Sequence, residues 1–332
     1  MKTFMTGATG FIGGRFARRL KARGDEVVAL VRSPEKGGDL AALGVTLARG
    51  DITDAASVRA AMRGAEQVFH VAAWYKVGVR DRSPAWPINV DGTRHVLEAM
   101  RDLGVPKGVY TSTLAAFSDT AGRTVDESYR PHVSHWLSEY DRTKSAAHFE
   151  IALPMMEQGL PLVIVQPGVN YGPGDTSVVR DLFIQYLKRQ LPMIPRGMAC
   201  CWAHVEDTVS GHVLAMEKGR AGESYIIAGP AHTYVEAIET AERITGIPAP
   251  RLRPGPATMR AMAAVMSVVE KVVPVPETMA AESFREMAGT TYLGSNAKAK
   301  RELGFSPRPL VEGLRETLEH EMSLLGMRAR PA

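Results

Sequence analysis

The segment TGATGFIG at residues 6–13 decides the fold predicted for this chain of 332 residues. It joins an apolar run at Lys2–Thr6, predicted to be a strand, to a helical pattern at Phe11–Arg23. Its glycines, spaced as GxxGxxG, allow a sharp turn and let the backbone approach an anion at the start of the helix. In this strand–turn–helix context we predict that the loop holds the pyrophosphate of a dinucleotide. The residues predicted to do so are Gly7, Thr9, Gly10, Phe11, Ile12 and Gly13.

Short apolar runs alternate with helical patterns from this loop to residue 166. Strands are predicted at Glu26–Val31, Val45–Ala48, Gln67–Val71, Gly108–Thr111 and Pro161–Gln166, and helices at Ala55–Met62, Ile88–Leu103 and Ser138–Gln158. Strands that alternate with helices indicate a parallel sheet covered on both faces. The continuous apolar runs VVALV and LVIV are typical of its central strands. We therefore predict an α/β fold of the Rossmann type, a doubly wound parallel sheet.

The pattern changes after about residue 167, where proline and glycine become frequent between helical stretches. We predict a dinucleotide-binding domain at residues 1–170 and a smaller, mostly helical substrate-binding domain at 171–332. A strand pattern at 223–228 would return to the first domain, so the two halves interleave. The methionines at 259, 262 and 266 are spaced as the core face of a helix, with a flexible lid over the substrate as the alternative.

Composition excludes several classes of function. The net charge is only +4 and is not concentrated in runs, so neither a nucleic-acid nor a membrane partner is expected. The two cysteines, Cys200 and Cys201, are adjacent and lack suitably spaced histidines, so no metal site is expected. No targeting segment is recognised, and the apolar stretch at 259–273 is interrupted by charges and too short to span a bilayer. A cytoplasmic protein is the simplest expectation.

The end of the second predicted strand bears on the choice of cofactor. Folds that prefer NAD place an acidic residue there to bind the ribose hydroxyls, whereas arginine accommodates a 2′-phosphate. Here Arg32 follows the strand directly and Lys36 lies close behind it. A guanidinium suits a phosphate, so NADP is predicted as the preferred cofactor, with NAD possible. The alternative is that Arg32 is a solvated surface residue.

Tyr140 and Lys144 in the segment YDRTK are the predicted catalytic pair. Four residues apart on a helix, they share one face. A free tyrosine has a pKa near ~10, too high for efficient proton transfer at neutral pH, and a nearby cation would lower it. YxxxK patterns also occur by chance, so the pair gains meaning only from its position.

At this position the sequence resembles the extended short-chain dehydrogenase/reductase family, also called the NAD-dependent epimerase/dehydratase family. The resemblance covers most of the chain and rests on seven motifs in order: TGATGFIG (6–13), GDITD (50–54), HVAA (70–73), NVDGT (89–93), VYTSTLAAF (109–117), YDRTK (140–144) and QPGVNYGPGD (166–175). The segments VRSPEK and VFHVAA resemble its dihydroflavonol reductase branch.

The resemblance implies roles for further residues. Asp51 and Ile52 would contact the adenine, and Ala72 and Ala73 would line the nicotinamide ribose. Thr113 would hold the substrate oxygen, with the neighbouring Ser112 and Thr111 as alternatives. The family's loop over the nicotinamide would correspond to Pro167, Gly168 and Val169. Lys144 would also bind the nicotinamide ribose.

Other candidates have a structural alternative. Trp74, Tyr75, Asn170 and Trp202 could contact substrate, although tryptophan and tyrosine pack in cores more often than they bind ligands. His70, His204 and Asp207 are interpreted as structural.

Three functions are compatible with these motifs. The first is NADPH-dependent reduction of a ketone or aldehyde, with Tyr140 as the acid and a small-molecule carbonyl or alcohol as substrate. The second is a sugar epimerase or dehydratase, and the third is a non-catalytic dinucleotide-binding regulator. Nucleotide-sugar members carry an arginine where this chain has Cys200-Cys201-Trp202, which favours the first, although Arg196 could replace it. A homodimer is only an expectation from the family.

Overall fold

The computed structural model describes residues 1–327, in which eleven strands form two sheets. Seven strands form the larger sheet in the order β3-β2-β1-β4-β5-β6-β9, and every neighbouring pair is parallel. These strands are β1 (Lys2–Thr6), β2 (Glu26–Val31), β3 (Thr46–Arg49), β4 (Gln67–His70), β5 (Gly108–Thr111), β6 (Leu162–Gln166) and β9 (Glu223–Ile226). The predicted doubly wound parallel sheet is confirmed, with strand ends within two residues of those predicted.

The described chain also contains thirteen α-helices. They are α1 (Phe11–Ala22), α2 (Gly38–Ala42), α3 (Ala55–Met62), α4 (Gly92–Asp102), α5 (Glu139–Ala146), α6 (Leu153–Glu157), α7 (Val178–Leu187), α8 (Val205–Lys218), α9 (Tyr234–Thr245), α10 (Pro256–Val269), α11 (Ala281–Glu286), α12 (Ala297–Leu303) and α13 (Leu310–Leu324). Short 3-10 turns lie at Pro34–Gly37, Leu114–Phe117 and Glu277–Met279.

Alternate residues of the large sheet enter two separate cores. Met5 and Ala29 pack on one face with helices α1, α8 and α12, whereas Phe4 and Val28 pack on the other with α3 to α6. Because both faces are covered, the strands are apolar at successive positions; all five residues of β6 are buried. This double burial explains why the strands were visible as continuous apolar runs.

The helix predicted at 138–158 is not regular throughout. Helix α5 passes into a wide π-type turn at Ala147–Ala152 before α6 begins. Pro154 has no N–H to donate to the carbonyl of Glu150, and its ring crowds that carbonyl, so the helix widens just before it. A second wide turn, Pro87–Asp91, leads into α4.

A smaller sheet was not predicted. Strand β8 (Ala199–His204) pairs with β7 (Val169–Tyr171), β10 (Ala231–Thr233) and β11 (Thr291–Tyr292). Its core also contains side chains of α7, α9 and α13. The part after residue 170 therefore combines helices with a sheet that buries Cys200 and Cys201.

The methionine face of α10 packs in a satellite cluster. Met259 is buried and packs with Met262, Met266 and Phe284, as its helical spacing predicts. No helix within residues 1–327 is long and apolar enough to cross a membrane.

Candidate active site

A cavity of about 550 Å³ opens where the strands of the large sheet end at their carboxyl termini. Residues that directly follow β1, β2, β4, β5 and β6 all contribute to its wall. In open parallel sheets this edge is the usual place for a ligand, because the loops that leave the strands converge there.

The glycine loop forms one wall. All six residues predicted there line the cavity, namely Gly7, Thr9, Gly10, Phe11, Ile12 and Gly13. Gly7 has a positive φ of 78°, and a Cβ atom on it would lie 2.7 Å from the amide nitrogen of Ala72. A Cβ atom on Gly13 would lie 2.0 Å from the carbonyl oxygen of Gly7. Both positions therefore require glycine for the loop to close against its neighbours.

The start of α1 fits the pyrophosphate of a dinucleotide. Gly10 is its N-cap and supplies no side-chain acceptor. The amide of Gly14 donates to the carbonyl of Gly10, but within residues 1–327 the amides of Phe11, Ile12 and Gly13 have no acceptor. Three free N–H groups at the positive end of a helix, facing a cavity, form an anion-binding cradle.

The ribose end of the cavity is cationic. The exposed Arg32 lines it and makes no ion pair within the described part of the chain. Arg49, at the end of β3, is paired in register with Val31, which immediately precedes Arg32. Arg49 itself does not line the cavity. Asp51 and Ile52 line the cavity as predicted, and Asp51 Oδ1 accepts hydrogen bonds from the amide and hydroxyl of Thr53.

Helix α5 brings the predicted catalytic pair to the opposite wall. Ser138 caps this helix by accepting a hydrogen bond from the amide of Asp141 at 3.2 Å. Tyr140 and Lys144 then face the cavity with Thr113 from the end of β5. The three residues predicted to be catalytic therefore lie together.

Lys144 is almost fully buried. Its Nζ donates to the carbonyl oxygen of Thr111 at 2.9 Å and to the hydroxyl of Tyr110 at 3.3 Å. Burial lowers the pKa of Lys144 from 10.5 to about 7. The anchored ammonium thus lies at the cavity wall, where its third N–H could donate a hydrogen bond to a ribose hydroxyl.

The pKa of Tyr140 is raised, contrary to the expectation that Lys144 lowers it. Burial is the main cause, the charges of Asp141 and Glu286 add to it, and a hydrogen bond with Thr113 opposes it. The cationic nitrogen is held by Thr111 and Tyr110 instead of the phenol. In this structure Tyr140 is therefore a neutral phenol at neutral pH, which is the proton-donating form.

Two buried histidines distinguish the hydroxyls of residues 111–113. Thr111 Oγ1 lies 2.8 Å from His212 Nε2, and Ser112 Oγ lies 2.9 Å from His148 Nδ1. The hydroxyl of Thr113 accepts a hydrogen bond from the amide of Ala115 and retains its proton to donate. Of the three hydroxyls, that of Thr113 is the one beside Tyr140.

The wall predicted to meet the nicotinamide is formed by two chain segments. It contains Ala72, Ala73, Pro167, Gly168, Val169 and Asn170. A Cβ atom on Gly168 would lie 2.0 Å from the carbonyl oxygen of Cys201, so this segment packs directly on β8. The side-chain amide of Asn170 donates a hydrogen bond to the carbonyl oxygen of Gly168 and accepts one from the hydroxyl of Thr208. Its polar atoms therefore hold the wall in place.

Three predicted residues, Trp202, Trp74 and Lys36, do not line the cavity. Trp202 is 1% exposed, and its indole N–H donates to the carbonyl of His232 within the core of the small sheet. The backbone of Trp74 is held by the side chain of Asn89, and Lys36 lies beyond the cavity in the turn after β2. Tyr75 does line the cavity and is half exposed.

The histidines interpreted as structural are buried in hydrogen-bond networks. His70 lies 2.8 Å from the hydroxyl of Thr6 and 3.0 Å from that of Thr93, and burial lowers its pKa to about 3. His204 caps α8, and Asp207 forms an ion pair with Arg308.

Several cavity residues from the second half of the chain were not predicted. They include Met198, Tyr234, Glu286 and Tyr292, together with Asp141 beside Tyr140. Only the fold brings the first four to Tyr140, and no local pattern in the sequence identifies them. No cluster of three or more potential metal-binding side chains occurs within residues 1–327.

Comparison with known proteins agrees with this geometry. Residues 3–228 match the model of the NAD-dependent epimerase/dehydratase family. The chain is 30% identical over 311 residues to sterol demethylase protein B of Methylococcus capsulatus, covering 92% of this chain and 94% of that protein. It is 33% identical over 256 residues to a Synechocystis protein named for dihydroflavonol 4-reductase activity, covering 75% of this chain and 74% of that protein.

A third relative is a farnesyl-dihydroquinoline-oxide ketoreductase of Stigmatella aurantiaca, 30% identical over 314 residues, with 93% and 92% covered. Among solved structures, that of gox2253 superposes with a TM-score of 0.85 at 29% identity over 98% of this chain and 99% of that one. A UDP-glucose 4-epimerase of Thermotoga maritima shares the fold, with a TM-score of 0.76 at 23% identity over 98% and 100%. The chain is an NAD(P)-dependent enzyme of the short-chain dehydrogenase/reductase type, and it belongs to the NAD-dependent epimerase/dehydratase family.

Proposed function

We propose that this enzyme uses NADPH to reduce a ketone or aldehyde to an alcohol. The observation that carries the proposal is the neutral Tyr140 phenol beside the Thr113 hydroxyl at the cavity wall. When bound, the nicotinamide would supply the hydride. Thr113 and Tyr140 would both donate hydrogen bonds to the carbonyl oxygen, and Tyr140 would give up its proton as the negative charge on that oxygen develops.

Lys144 prepares Tyr140 for this step without contacting it in the free enzyme. Its buried ammonium is tied to β5 through Thr111 and Tyr110. From there it would bind the ribose and, as a nearby cation, stabilise the phenolate left behind after proton transfer. This role differs from lowering the phenol pKa before the reaction.

The cationic ribose end supports NADPH over NADH. Arg32 directly follows β2, lines the cavity and forms no ion pair within residues 1–327. A guanidinium group free to bind a 2′-phosphate favours the phosphorylated cofactor. Lys36 lies outside the cavity and is not needed for this preference.

Within residues 1–327 no arginine from the segment around β8 lines the cavity. The cations that line the cavity are Arg32, Lys76 and Lys144 within the described chain, and none comes from the segment around β8. Cys200 and Cys201 are buried, and the exposed Arg196 does not line the cavity. A nucleotide sugar would therefore find no arginine for its diphosphate. The relatives named as reductases also support carbonyl reduction.

Residues after 170 supply most of this substrate end, including Met198, Tyr234 and Glu286. We therefore keep the division into a dinucleotide-binding part, 1–170 with β9, and a substrate-binding part, 171–332, as a proposal. If the two parts interleave, residues from both should line one cavity.

The test is to incubate the purified enzyme with NADPH and small aromatic and aliphatic ketones and aldehydes. Cofactor should be oxidised in equal amount to the alcohol formed, and the Tyr140→Phe variant should not do this. Tight binding and epimerisation of a UDP- or GDP-sugar without net cofactor consumption would overturn the proposal in favour of an epimerase. Bound cofactor with no turnover of any carbonyl or alcohol would indicate a non-catalytic regulator.

A further inference from the structure

Two carboxyl side chains line the cavity beside Tyr140. Asp141 follows the catalytic tyrosine on α5, and Glu286 is the last residue of α11. Asp141 is only 1% exposed. The charges of both groups act on the Tyr140 phenol, so both lie at the reacting end of the cavity. Neither has a part in the proposed proton transfer.

Within residues 1–327 neither member of this pair forms an ion pair. Tyr292 donates a hydrogen bond to Asp141 Oδ2 at 2.9 Å, but Asp141 Oδ1 has no hydrogen-bond partner within residues 1–327. Glu286 forms no ion pair with any described residue, and the nearby Arg285 is exposed to solvent. A buried carboxyl oxygen without a partner costs stability, so its retention in a cavity wall points to a ligand.

A third carboxylate nearby shows what a purely structural acid looks like here. Glu282 is also 1% exposed, but both its oxygens accept backbone hydrogen bonds, from Gly78 at 2.7 Å and from Glu139 at 2.8 Å. Arg82 lies 3.5 Å from it and supplies the opposite charge. Glu282 therefore anchors α11 to the rest of the chain and does not line the cavity. Asp141 and Glu286 differ from Glu282 because both line the cavity and neither forms an ion pair within the described residues.

Burial and mutual repulsion act together on the pair. The pKa of Glu286 is raised to about 7, mainly by burial, and that of Asp141 is raised well above its ordinary value by burial and by Glu286. Each carboxyl group therefore resists ionisation while its neighbour is charged. Glu286 is partly exposed on the cavity wall, so its carboxyl oxygens can meet a donor there, beside the unpartnered Oδ1 of Asp141.

We propose that Asp141 and Glu286 bind a hydrogen-bond-donating group of the substrate, a hydroxyl or an ammonium, at a position remote from the reacting carbonyl. This inference rests on the proposed function, because it assigns the carbonyl to Tyr140 and Thr113. Tyr234 and Tyr292 flank the acids on the cavity wall and would pack against the part of the substrate between the two polar groups. The substrate would then be an apolar carbonyl compound with one distant hydroxyl or amine.

The experiment measures binding of four acetophenones to the enzyme saturated with NADP⁺, where no reduction can occur. They carry 4′-methyl, 4′-methoxymethyl, 4′-hydroxymethyl or 4′-aminomethyl groups. A donor bonded to an ionised carboxyl should tighten binding about tenfold or more relative to methyl. The methoxymethyl compound, which only accepts, should bind no better than methyl. The hydroxymethyl and aminomethyl arms distinguish the two donors.

Glu286→Gln and the isosteric Asp141→Asn should each remove most of the donor preference. Glu282→Gln is the matched control, and any folded sample of it should keep the preference. Equal binding of all four compounds, binding by none of them, or an unchanged preference in both variants would overturn the inference. A separate reduction assay of the wild-type enzyme with NADPH distinguishes the two proposals. A donor preference in the titration with no carbonyl reduction by the wild type contradicts the function alone, and reduction by the wild type without a donor preference contradicts this site alone.

Discussion

The side-chain nitrogen of Lys144 lies 2.9 Å from the carbonyl oxygen of Thr111, at the end of a strand that also leads to Thr113. One helix residue is thereby tied to the strand that leads to the hydroxyl proposed to orient the substrate. The contact also leaves part of the ammonium facing the cavity.

Replacing Lys144 with methionine should weaken both NADPH binding and turnover. The substitution keeps most of the side-chain volume but removes the donor to the ribose and the cation near the phenolate. Fluorescence titration of NADPH and steady-state kinetics measure the two effects. A variant with normal cofactor affinity and reduced kcat alone would contradict the proposed double role.

Replacing Tyr140 with phenylalanine should lower kcat by about 100- to 10,000-fold, because a positioned general acid commonly contributes that much. NADPH affinity should stay nearly unchanged, since the phenol is not part of the pyrophosphate cradle. The Thr113→Val variant should lose less, because its hydroxyl orients the carbonyl but does not transfer the proton. Near-normal turnover by Tyr140→Phe would show that another group is the acid.

Replacing Arg32 with alanine should reduce kcat/KM for NADPH by about tenfold or more, the effect expected from losing a charge-assisted hydrogen bond to phosphate. The value for NADH should change little, because NADH has no 2′-phosphate. Lys36→Ala is the matched control, since Lys36 is a cation of the same turn that lies outside the cavity. Equal losses with both cofactors, or better wild-type efficiency with NADH, would refute the assignment.

Replacing Gly13 with alanine should distort the cradle, whereas Gly14→Ala should be tolerated. The new Cβ atom at 13 would meet the backbone oxygen of Gly7 at 2.0 Å, but at 14 the closest atom belongs to the flexible side chain of Arg18 at 3.3 Å. We expect Gly13→Ala to lose about 1–3 kcal/mol of stability through overpacking. Thermal unfolding with and without NADPH checks both variants. Similar melting temperatures for Gly13→Ala and Gly14→Ala would argue against the close approach of residue 13 to Gly7.

Replacing His148 with asparagine should flatten the dependence of stability on pH. Burial, with smaller effects of Arg130 and Lys144, lowers the pKa of His148 from 6.5 to about 3. Between these values the unfolded chain binds more protons than the folded one, so the free energy of unfolding falls as pH falls. Asparagine can still pair with Ser112 but does not titrate. Denaturant unfolding from pH 6.5 to 4 should show a slope smaller by about 1.4 kcal/mol per pH unit, and parallel slopes would contradict the prediction.

The large sheet could be predicted because burial on both faces leaves a plain trace in the sequence. The strand at Leu162–Gln166 is apolar at four successive positions, and its neighbours alternate regularly with helices. The glycine loop was recognisable because its turn must pack against neighbouring backbone and also approach an anion, and few residue types other than glycine allow both. Both signals are local, so no knowledge of tertiary contacts was needed.

The substrate end could not be predicted in the same way. Strand β8 is buried on both sides, but its partners β7, β10 and β11 are separated from it along the chain, so nothing near ACCWAH indicates a sheet. Trp202 was therefore assigned to the substrate although it packs in the core. Glu286 carries no motif of its own and becomes a site candidate only beside Tyr140.

The pairing of β7 with β8 also constrains how ligands exchange. Val169 and Asn170 are in register with Trp202 and Ala203, so the wall they form is part of a sheet and cannot swing open as a flap on its own. Moving it would require backbone hydrogen bonds across the small sheet to break together. Product egress is then left to parts of the cavity border outside this sheet, among them the exposed Tyr75. Amide hydrogens of β7 should accordingly exchange with solvent far more slowly than those around Tyr75, even during turnover.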